Sequence, residues 1–288
     1  MTGYEALRNR AAWIDLSARG KIKLTGEDRA RLLHAMTTNH IQQLTPGTGC
    51  YAFFLNDKGR VLADANVLCR PDYFLLDVEP EVREPLYQHL DRFIIADDVT
   101  LEDATDAAAT IAVEGPESAE VMQRAGAPVP ESDYSSADWG EAWGESVVAR
   151  LNSTGSTGFF IFSPLSEKPA LISRLEAAGA QPADAEAARI VRLEHGKPRY
   201  SEDISDRFLG QEANQPQALH FSKGCYLGQE IVERVRSRGQ IHRVLMPLTL
   251  ESKEPPATGT KLENATEITS AAYSPALGKV VALGYVRT

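Results

Sequence analysis

Helical and strand-like patterns follow one another along this chain in an order that excludes many folds. Apolar residues alternate with polar ones, or run continuously between turn residues, in segments that predict strands: 21–24, 51–55, 60–68, 73–78, 99–102, 110–113, 146–151 and 159–162. Helical spacing after a capping residue or a proline predicts helices over 25–39, 80–93, 116–126, 167–178 and 183–194. Because strands and helices do not alternate strictly, an α+β fold is favoured over a doubly wound parallel sheet.

The end of the chain differs from the rest, because it carries strand patterns without helical ones. Strands are predicted over 244–250, 268–273 and 279–286. We therefore expect a small all-β domain over 241–288. So few residues rarely form an independent core, so this domain should pack on the remainder of the chain. A long ordered loop is expected over 199–222, where the sequence is polar and irregular.

One octapeptide places a cysteine between a lysine and two glycines: Lys223-Gly224-Cys225-Tyr226-Leu227-Gly228-Gln229-Glu230. The run 229–239 then has apolar residues at helical spacing, with Gly239 as a stop, which predicts a short helix. A thiol close to a helix N-terminus, with a lysine two residues away, is expected to ionise more easily than a free cysteine. Cys225 is therefore a candidate reactive thiolate, although a small buried hydrophobe at a glycine turn fits the same pattern.

Composition and charge exclude several classes of protein. The net charge of -10 argues against broad binding to nucleic acid or to a membrane surface. No apolar run approaches the roughly 18 residues that span a bilayer, and no secretory signal is recognisable. Cysteines at 50, 69 and 225 do not suggest a disulfide framework, so a reducing cytoplasm is expected. No metal site of the chain's own is expected, and His220 could pair with Cys225 or be an incidental loop histidine.

The octapeptide matches every position of the motif Lys-Gly-Cys-(Tyr/Phe)-x-Gly-Gln-Glu, and in this the chain resembles the YgfZ-type folate-binding proteins. These are relatives of the aminomethyltransferases (T-proteins, GcvT) of the glycine cleavage system. Further similarity to aminomethyltransferases occurs in the same order along the chain, at 15–17, 56–64, 192–196 and 274–286. The resemblance implies a three-part cloverleaf around a central opening that holds tetrahydrofolate. Two interleaved α+β subdomains would occupy 1–240, with boundaries near 105 and 182, and a C-terminal β-barrel would occupy 241–288.

Several positions depart from the aminomethyltransferase pattern. Where that family carries a second acid, a glutamate, a Tyr-Glu pair and an arginine, this chain has Ala63, Ser156, Phe159-Phe160 and Ala188. Asp64 is then the one carboxylate left of the acid pair, and recognition of the pterin by the Tyr-Glu carboxylate is lost. With the cysteine motif intact, these departures favour the YgfZ-type role, which is folate-dependent support of iron–sulfur cluster assembly or repair.

The residues and the resemblance together indicate candidate site residues. The candidate catalytic groups are Cys225 and Asp64, and the candidate folate-binding groups are Lys223, Tyr226, Gln229, Glu230, Arg192 and Asn56. Plainer alternatives are packing for Cys225 and Tyr226, a solvated surface for Lys223, a helix cap for Gln229 and Glu230, a strand-end acid for Asp64, and a surface ion pair for Arg192.

Three functions remain open from the sequence. The leading hypothesis is a tetrahydrofolate-binding accessory protein that acts through Cys225 on iron–sulfur client or assembly proteins, without nucleic-acid or membrane partners. The alternative is an enzyme, a tetrahydrofolate-dependent aminomethyltransferase or another one-carbon transferase, which would depend on Asp64. The third is a scaffold that has lost folate and bridges partner proteins.

Overall fold

The computed structural model describes residues 1–140, 146–239, 241–263 and 266–288, and its first sheet lies in the N-terminal part of the chain. This sheet contains β2 (Gly20–Thr25), β3 (Gly49–Leu55), β4 (Val61–Cys69), β5 (Phe74–Val78) and β6 (Thr100–Asp103). The strand order is β3–β4–β5–β2–β6, and every neighbouring pair is antiparallel. The connecting helices are α2 (Arg29–Met36) and α3 (Arg83–Asp91). All residues of β5 are buried, which explains its almost continuous apolar run.

The second sheet joins the start of the chain to its middle. Its strands are β1 (Ala12–Asp15), β7 (Ala108–Glu114), β8 (Ser136–Asp138), β9 (Val147–Ala149), β10 (Gly158–Pro164) and β11 (Gln181–Pro182). The order is β11–β1–β7–β10–β9–β8, in which only the short β1–β11 pair is parallel among the described strands. The helices of this part are α1 (Gly3–Asn9), α4 (Ser118–Arg124), α5 (Lys168–Ala177) and α6 (Ala185–Glu194). Because β1 pairs with β7, the first residues of the chain belong with its middle, which supports our proposal of two interleaved subdomains.

The third sheet is formed by the C-terminal strands. Helix α7 (Gln229–Arg238) precedes β12 (Arg243–Leu250), β13 (Glu267–Ser274) and β14 (Lys279–Arg287), whose order is β12–β14–β13. These strands form an open antiparallel sheet within the described residues, so a closed C-terminal barrel stays a prediction.

The C-terminal sheet packs on the rest of the chain, as its small size led us to expect. The ring of Tyr285 stacks on Phe208 with centroids 3.7 Å apart, and Phe208 lies in the irregular segment 199–222. The Leu245 amide donates to the Glu212 carbonyl of the same segment at 2.8 Å. This segment is therefore ordered by contacts with the third sheet.

The predicted strands and helices each overlap an observed element, but both ends predicted for the helix 25–39 are wrong. Thr25 is the last residue of β2. Asp28 does not cap the helix, because its carboxylate accepts the backbone N–H of Asp98 at 2.9 Å. The helix ends at its C-terminus before Thr37, since Thr37 forms a bridge with Phe54 of β3. Tertiary pairing therefore competes with the helical pattern on both sides.

Candidate functional site

A cavity of about 750 Å³ lies between the first two sheets and the segment that follows α6. Its wall takes Asp64 and Asn66 from β4, Phe160 from β10, and Arg192 from α6. A volume in this range, with mixed apolar and polar walls, suits a drug-sized organic ligand. Of the predicted site residues, the cavity brings together Asp64 and Arg192.

Asp64 is the titratable group of this wall whose pKa lies nearest to neutral pH among the carboxyls described. It is 8% exposed, and the Tyr51 hydroxyl donates to its Oδ2 at 2.6 Å. Burial raises the pKa of Asp64 to about 6, and the negative charge of Glu79 adds to the rise, whereas the Tyr51 hydrogen bond and Arg19 act in the opposite direction. A buried carboxyl with such a pKa can accept or release a proton under physiological conditions. The strand-end alternative for Asp64 is wrong, because the residue lies inside β4.

An ion-pair network beside Asp64 escaped the sequence analysis. The Arg19 guanidinium donates to both oxygens of Asp77 at 2.8 Å and also contacts Glu79, which lies 3.0 Å from Arg199. Asn66 donates to Asp77 at 2.8 Å. A signal did exist, because Asp77 interrupts the apolar run of β5, and a charge in a buried strand requires a partner.

Arg192 is buried and already paired with internal acids. One terminal nitrogen of its guanidinium donates to Asp203 at 2.6 Å and to the Lys197 carbonyl at 2.7 Å, while the other donates to Glu202 at 2.9 Å. The alternative of a surface ion pair is therefore wrong in its location, since Arg192 is 5% exposed. The residue lines the cavity, but its internal partners limit what it offers to a ligand.

A second buried carboxylate shapes the loop after β9. Glu114 accepts the backbone N–H groups of Ser153 at 2.6 Å and Thr154 at 2.9 Å, and both hydroxyls as well. The Lys197 ammonium donates to the Asn152 carbonyl at 2.6 Å and to its Oδ1 at 2.7 Å. Burial lowers the pKa of Lys197. These contacts hold Asn152 and Ser153 against the cavity.

The cysteine motif lies outside the cavity wall, and so do most of the predicted folate-binding residues. The residues that do not line the cavity are Cys225, Lys223, Tyr226, Gln229, Glu230 and Asn56. The Lys223 ammonium is buried, where it donates to the backbone carbonyls of His34 and Thr37 and lies 4.6 Å from the centre of the Tyr226 ring. Burial lowers the pKa of Lys223 to about 7. A solvated Lys223 and a buried Cys225 are therefore wrong, since the lysine is enclosed and the thiol is exposed.

The start of α7 contacts the turn that contains Asn56. Gly228 precedes the helix with φ of 84°, and a Cβ there would lie 2.6 Å from the Asn56 carbonyl oxygen. The Asn56 side chain accepts the N–H groups of Lys58 at 2.9 Å and Arg60 at 3.0 Å, which shapes the turn. Asn56 and the cysteine motif therefore meet each other at a place separate from Asp64. Gln229 begins α7, with Glu230 after it in the first turn.

A row of imidazoles lies beside Lys223. The rings of His34 and His40 have centroids 4.6 Å apart, and those of His40 and His220 are 5.2 Å apart. Burial lowers the pKa of His34 to about 4, and the Lys223 charge contributes. Among the residues that the structure describes, no group of three His, Cys, Asp or Glu side chains is arranged to hold a metal ion.

Comparison with known proteins identifies the family. Residues 2–223 match the family described as the GCVT N-terminal domain. The chain belongs to this family. An aminomethyltransferase of Rubrobacter xylanophilus is 32% identical over 292 residues, covering 98% of this chain and 78% of that protein. An aminomethyltransferase of Streptomyces coelicolor is 30% identical, with coverages of 98% and 80%. A putative chloroplastic transferase of Arabidopsis thaliana is 28% identical, with coverages of 88% and 60%.

A solved structure of this family has the same fold. The glycine cleavage system aminomethyltransferase T of Bartonella henselae superposes with a TM-score of 0.89 at 20% identity, covering 99% of this chain and 80% of that one. The α+β expectation and the aminomethyltransferase-like fold are thereby confirmed, whereas YgfZ-type membership stays a prediction. The GCVT family uses tetrahydrofolate as substrate or cofactor. In the described parts of the chain, no helix is long and apolar enough to cross a membrane.

Proposed function

We propose that this chain is a tetrahydrofolate-dependent one-carbon transferase of the aminomethyltransferase type, with its site in the cavity. The observation that carries the proposal is Asp64, a buried carboxyl of the cavity wall with a pKa of about 6. The relatives named above are aminomethyltransferases or a putative transferase, which favours this function over the iron–sulfur role suggested by the cysteine motif.

The cavity residues fit a reduced folate. A volume of about 750 Å³ accommodates a fused ring system with part of its tail. Trp13, Leu16 and Phe160 provide apolar walls, while Asp64, Asn66 and Glu79 provide polar groups. When bound, tetrahydrofolate supplies the nitrogen atoms that carry the one-carbon unit. The chain's own residues then have to bind and orient the ring and manage a proton.

Asp64 manages the proton in this proposal. The Tyr51 hydroxyl holds one carboxyl oxygen in place and stabilises the ionised form, whereas burial and Glu79 stabilise the protonated form. These opposing effects leave both forms accessible near neutral pH, so the carboxyl can donate to a folate nitrogen or accept from it. Water exclusion strengthens such a contact, because the carboxyl is almost fully buried.

The proposal covers one-carbon transfer in general and leaves the donor of the one-carbon unit open. Phe160 lies in the cavity wall, where it offers a ring and no carboxylate. Ala63 is buried in the core of the first sheet and contributes no second acid. These departures from the aminomethyltransferase pattern affect substrate recognition, whereas the Asp64–Tyr51 pair is untouched by them.

A transfer assay tests the proposal. Purified protein is incubated with tetrahydrofolate and an aminomethyl-lipoyl carrier protein, and formation of methylenetetrahydrofolate is measured. We expect turnover that falls at least a hundredfold in Asp64→Asn, because a positioned acid–base group typically contributes that much. Cys225→Ala should retain turnover, since its thiol is outside the cavity. Equal turnover in Asp64→Asn and wild type would contradict the role of Asp64, and none in wild type would contradict transfer from this carrier.

A second candidate function rests on Cys225. Its exposed thiol follows a lysine that is anchored by two backbone carbonyls, so the loop presents the sulfur to solvent. This favours a role in folate-dependent support of iron–sulfur client or assembly proteins in the cytoplasm. In cells lacking the native protein, Cys225→Ala would abolish client-enzyme activity while Asp64→Asn would not. The reverse pattern supports the transferase.

A further inference from the structure

Glu79 is a carboxylate of the cavity wall that the proton chemistry of Asp64 leaves unused. It follows β5 directly, and its side chain is 15% exposed. Its neighbour Asp77 is fully buried and accepts donors from Arg19 and Asn66. Glu79 is therefore the acid of this pair that can reach a bound ligand, while Asp77 anchors the surrounding side chains.

The two oxygens of Glu79 retain room for a pair of donors. Arg19 donates to Oε1, and the Arg199 guanidinium lies 3.0 Å from Oε2. A carboxylate has about four acceptor sites, so each oxygen keeps one more. Two other acids of the wall differ in this respect. Glu202 faces two arginines through one oxygen, and Asp15 accepts two donors from Ser17 on one oxygen.

The surroundings of Glu79 suit the edge of a flat ring. The Arg19 guanidinium that holds Glu79 lies 5.8 Å from the centre of the Phe160 ring, so an aromatic wall adjoins the carboxylate. Asp64 is close enough to be influenced by the charge of Glu79. A ring in contact with Asp64 therefore has Glu79 within the same part of the cavity.

We propose that Glu79 recognises the amino-pyrimidine edge of the folate ring system and so selects 2-amino-4-oxo pterins. This inference rests on the proposed function. The edge carries two parallel donors, the ring N3–H and the 2-amino group, which complement the two oxygens of an acceptor-only carboxylate. Arg19 and Arg199 fix the carboxylate from behind, so recognition requires no rearrangement of the wall.

Calorimetric titration with two ligands tests the proposal. The probes are 5-formyltetrahydrofolate and its 2-desamino analogue, which lacks the amino donor, and the proteins are wild type, Glu79→Gln and Glu81→Gln. Glu81 is the matched control, because it also pairs with Arg199 at 2.8 Å but does not line the cavity. A hydrogen-bonded charge of this kind is expected to contribute about ten- to a hundredfold in affinity.

The proposal predicts that Glu79→Gln binds 5-formyltetrahydrofolate at least about tenfold more weakly than wild type, while the 2-desamino analogue binds both proteins alike. Glu81→Gln should bind as wild type does. Equal loss for both ligands would mean that Glu79 only supports the wall, and no loss would mean that it does not touch the ring; either overturns the proposal. In wild type alone, equal affinity for the two ligands also overturns it. If wild type binds neither ligand, the proposed function fails as well.

Discussion

The stability of this protein should depend on pH through Asp64. Its pKa is raised from an ordinary value of 3.8 to about 6 in the folded chain. Such a rise corresponds to about 3 kcal/mol, since each tenfold change in a protonation equilibrium is worth about 1.4 kcal/mol. The sign follows from the acid being more easily protonated when folded. Its favourable contribution is complete below about pH 3.8 and is lost as the pH rises through about 6.

Asp64→Asn makes this effect measurable, because the amide stays neutral and can still accept from Tyr51. The free energy of unfolding of the variant, relative to wild type, should increase by about 2 kcal/mol between about pH 4.5 and pH 8. Urea denaturation at several pH values measures the difference. Asp57→Asn serves as the control at an exposed turn and should change stability by less than about 0.5 kcal/mol throughout. A difference between Asp64→Asn and wild type that stays constant with pH would refute the assigned pKa and the reasoning from burial.

Other substitutions test the structural contacts around the site. Asp203→Ala leaves the buried Arg192 guanidinium without a main partner, so it should lower the free energy of unfolding by about 3–5 kcal/mol in urea denaturation; a loss below about 1 kcal/mol would contradict the pairing. Gly228→Ala places a Cβ 2.6 Å from the Asn56 carbonyl oxygen at a positive φ, and should cost more than about 1–2 kcal/mol; unchanged thermal stability would contradict this contact. Cys225→Ser should leave stability within about 0.5 kcal/mol of wild type, since the thiol is exposed; a larger loss in the thermal melt would contradict that exposure.

The sequence predicted the secondary structure where local patterns dominate. β5 was recognised because its residues are buried on both faces, and α6 because its apolar spacing follows a true cap, with Asp184 accepting the Ala187 N–H at 2.8 Å. Strands β1, β8 and β11 were missed. They have three or four residues at most and are held by pairing with distant strands, which leaves little local signal.

The site was predictable only in part, for physical reasons. Asp64 was found through its resemblance to a family segment, but its Tyr51 partner depends on the pairing of β3 with β4. Arg19 meets Asp77 across 58 positions of sequence, a distance at which no periodicity reports a contact. The separation of the cysteine motif from the cavity also could not be foreseen. It depends on Lys223 reaching carbonyls of α2 and the residue after it, more than 180 positions away.

Binding of a reduced folate in the cavity is the premise on which the proposed function rests. Calorimetric titration of wild type and Ala188→Trp with tetrahydrofolate tests it directly, because Ala188 lines the cavity from α6 and an indole there would fill it. We predict micromolar affinity in wild type, about -8 kcal/mol, and its loss in the variant. Absence of binding to the wild type, or equal binding to both proteins, would contradict a folate site in this cavity and favour a scaffold role.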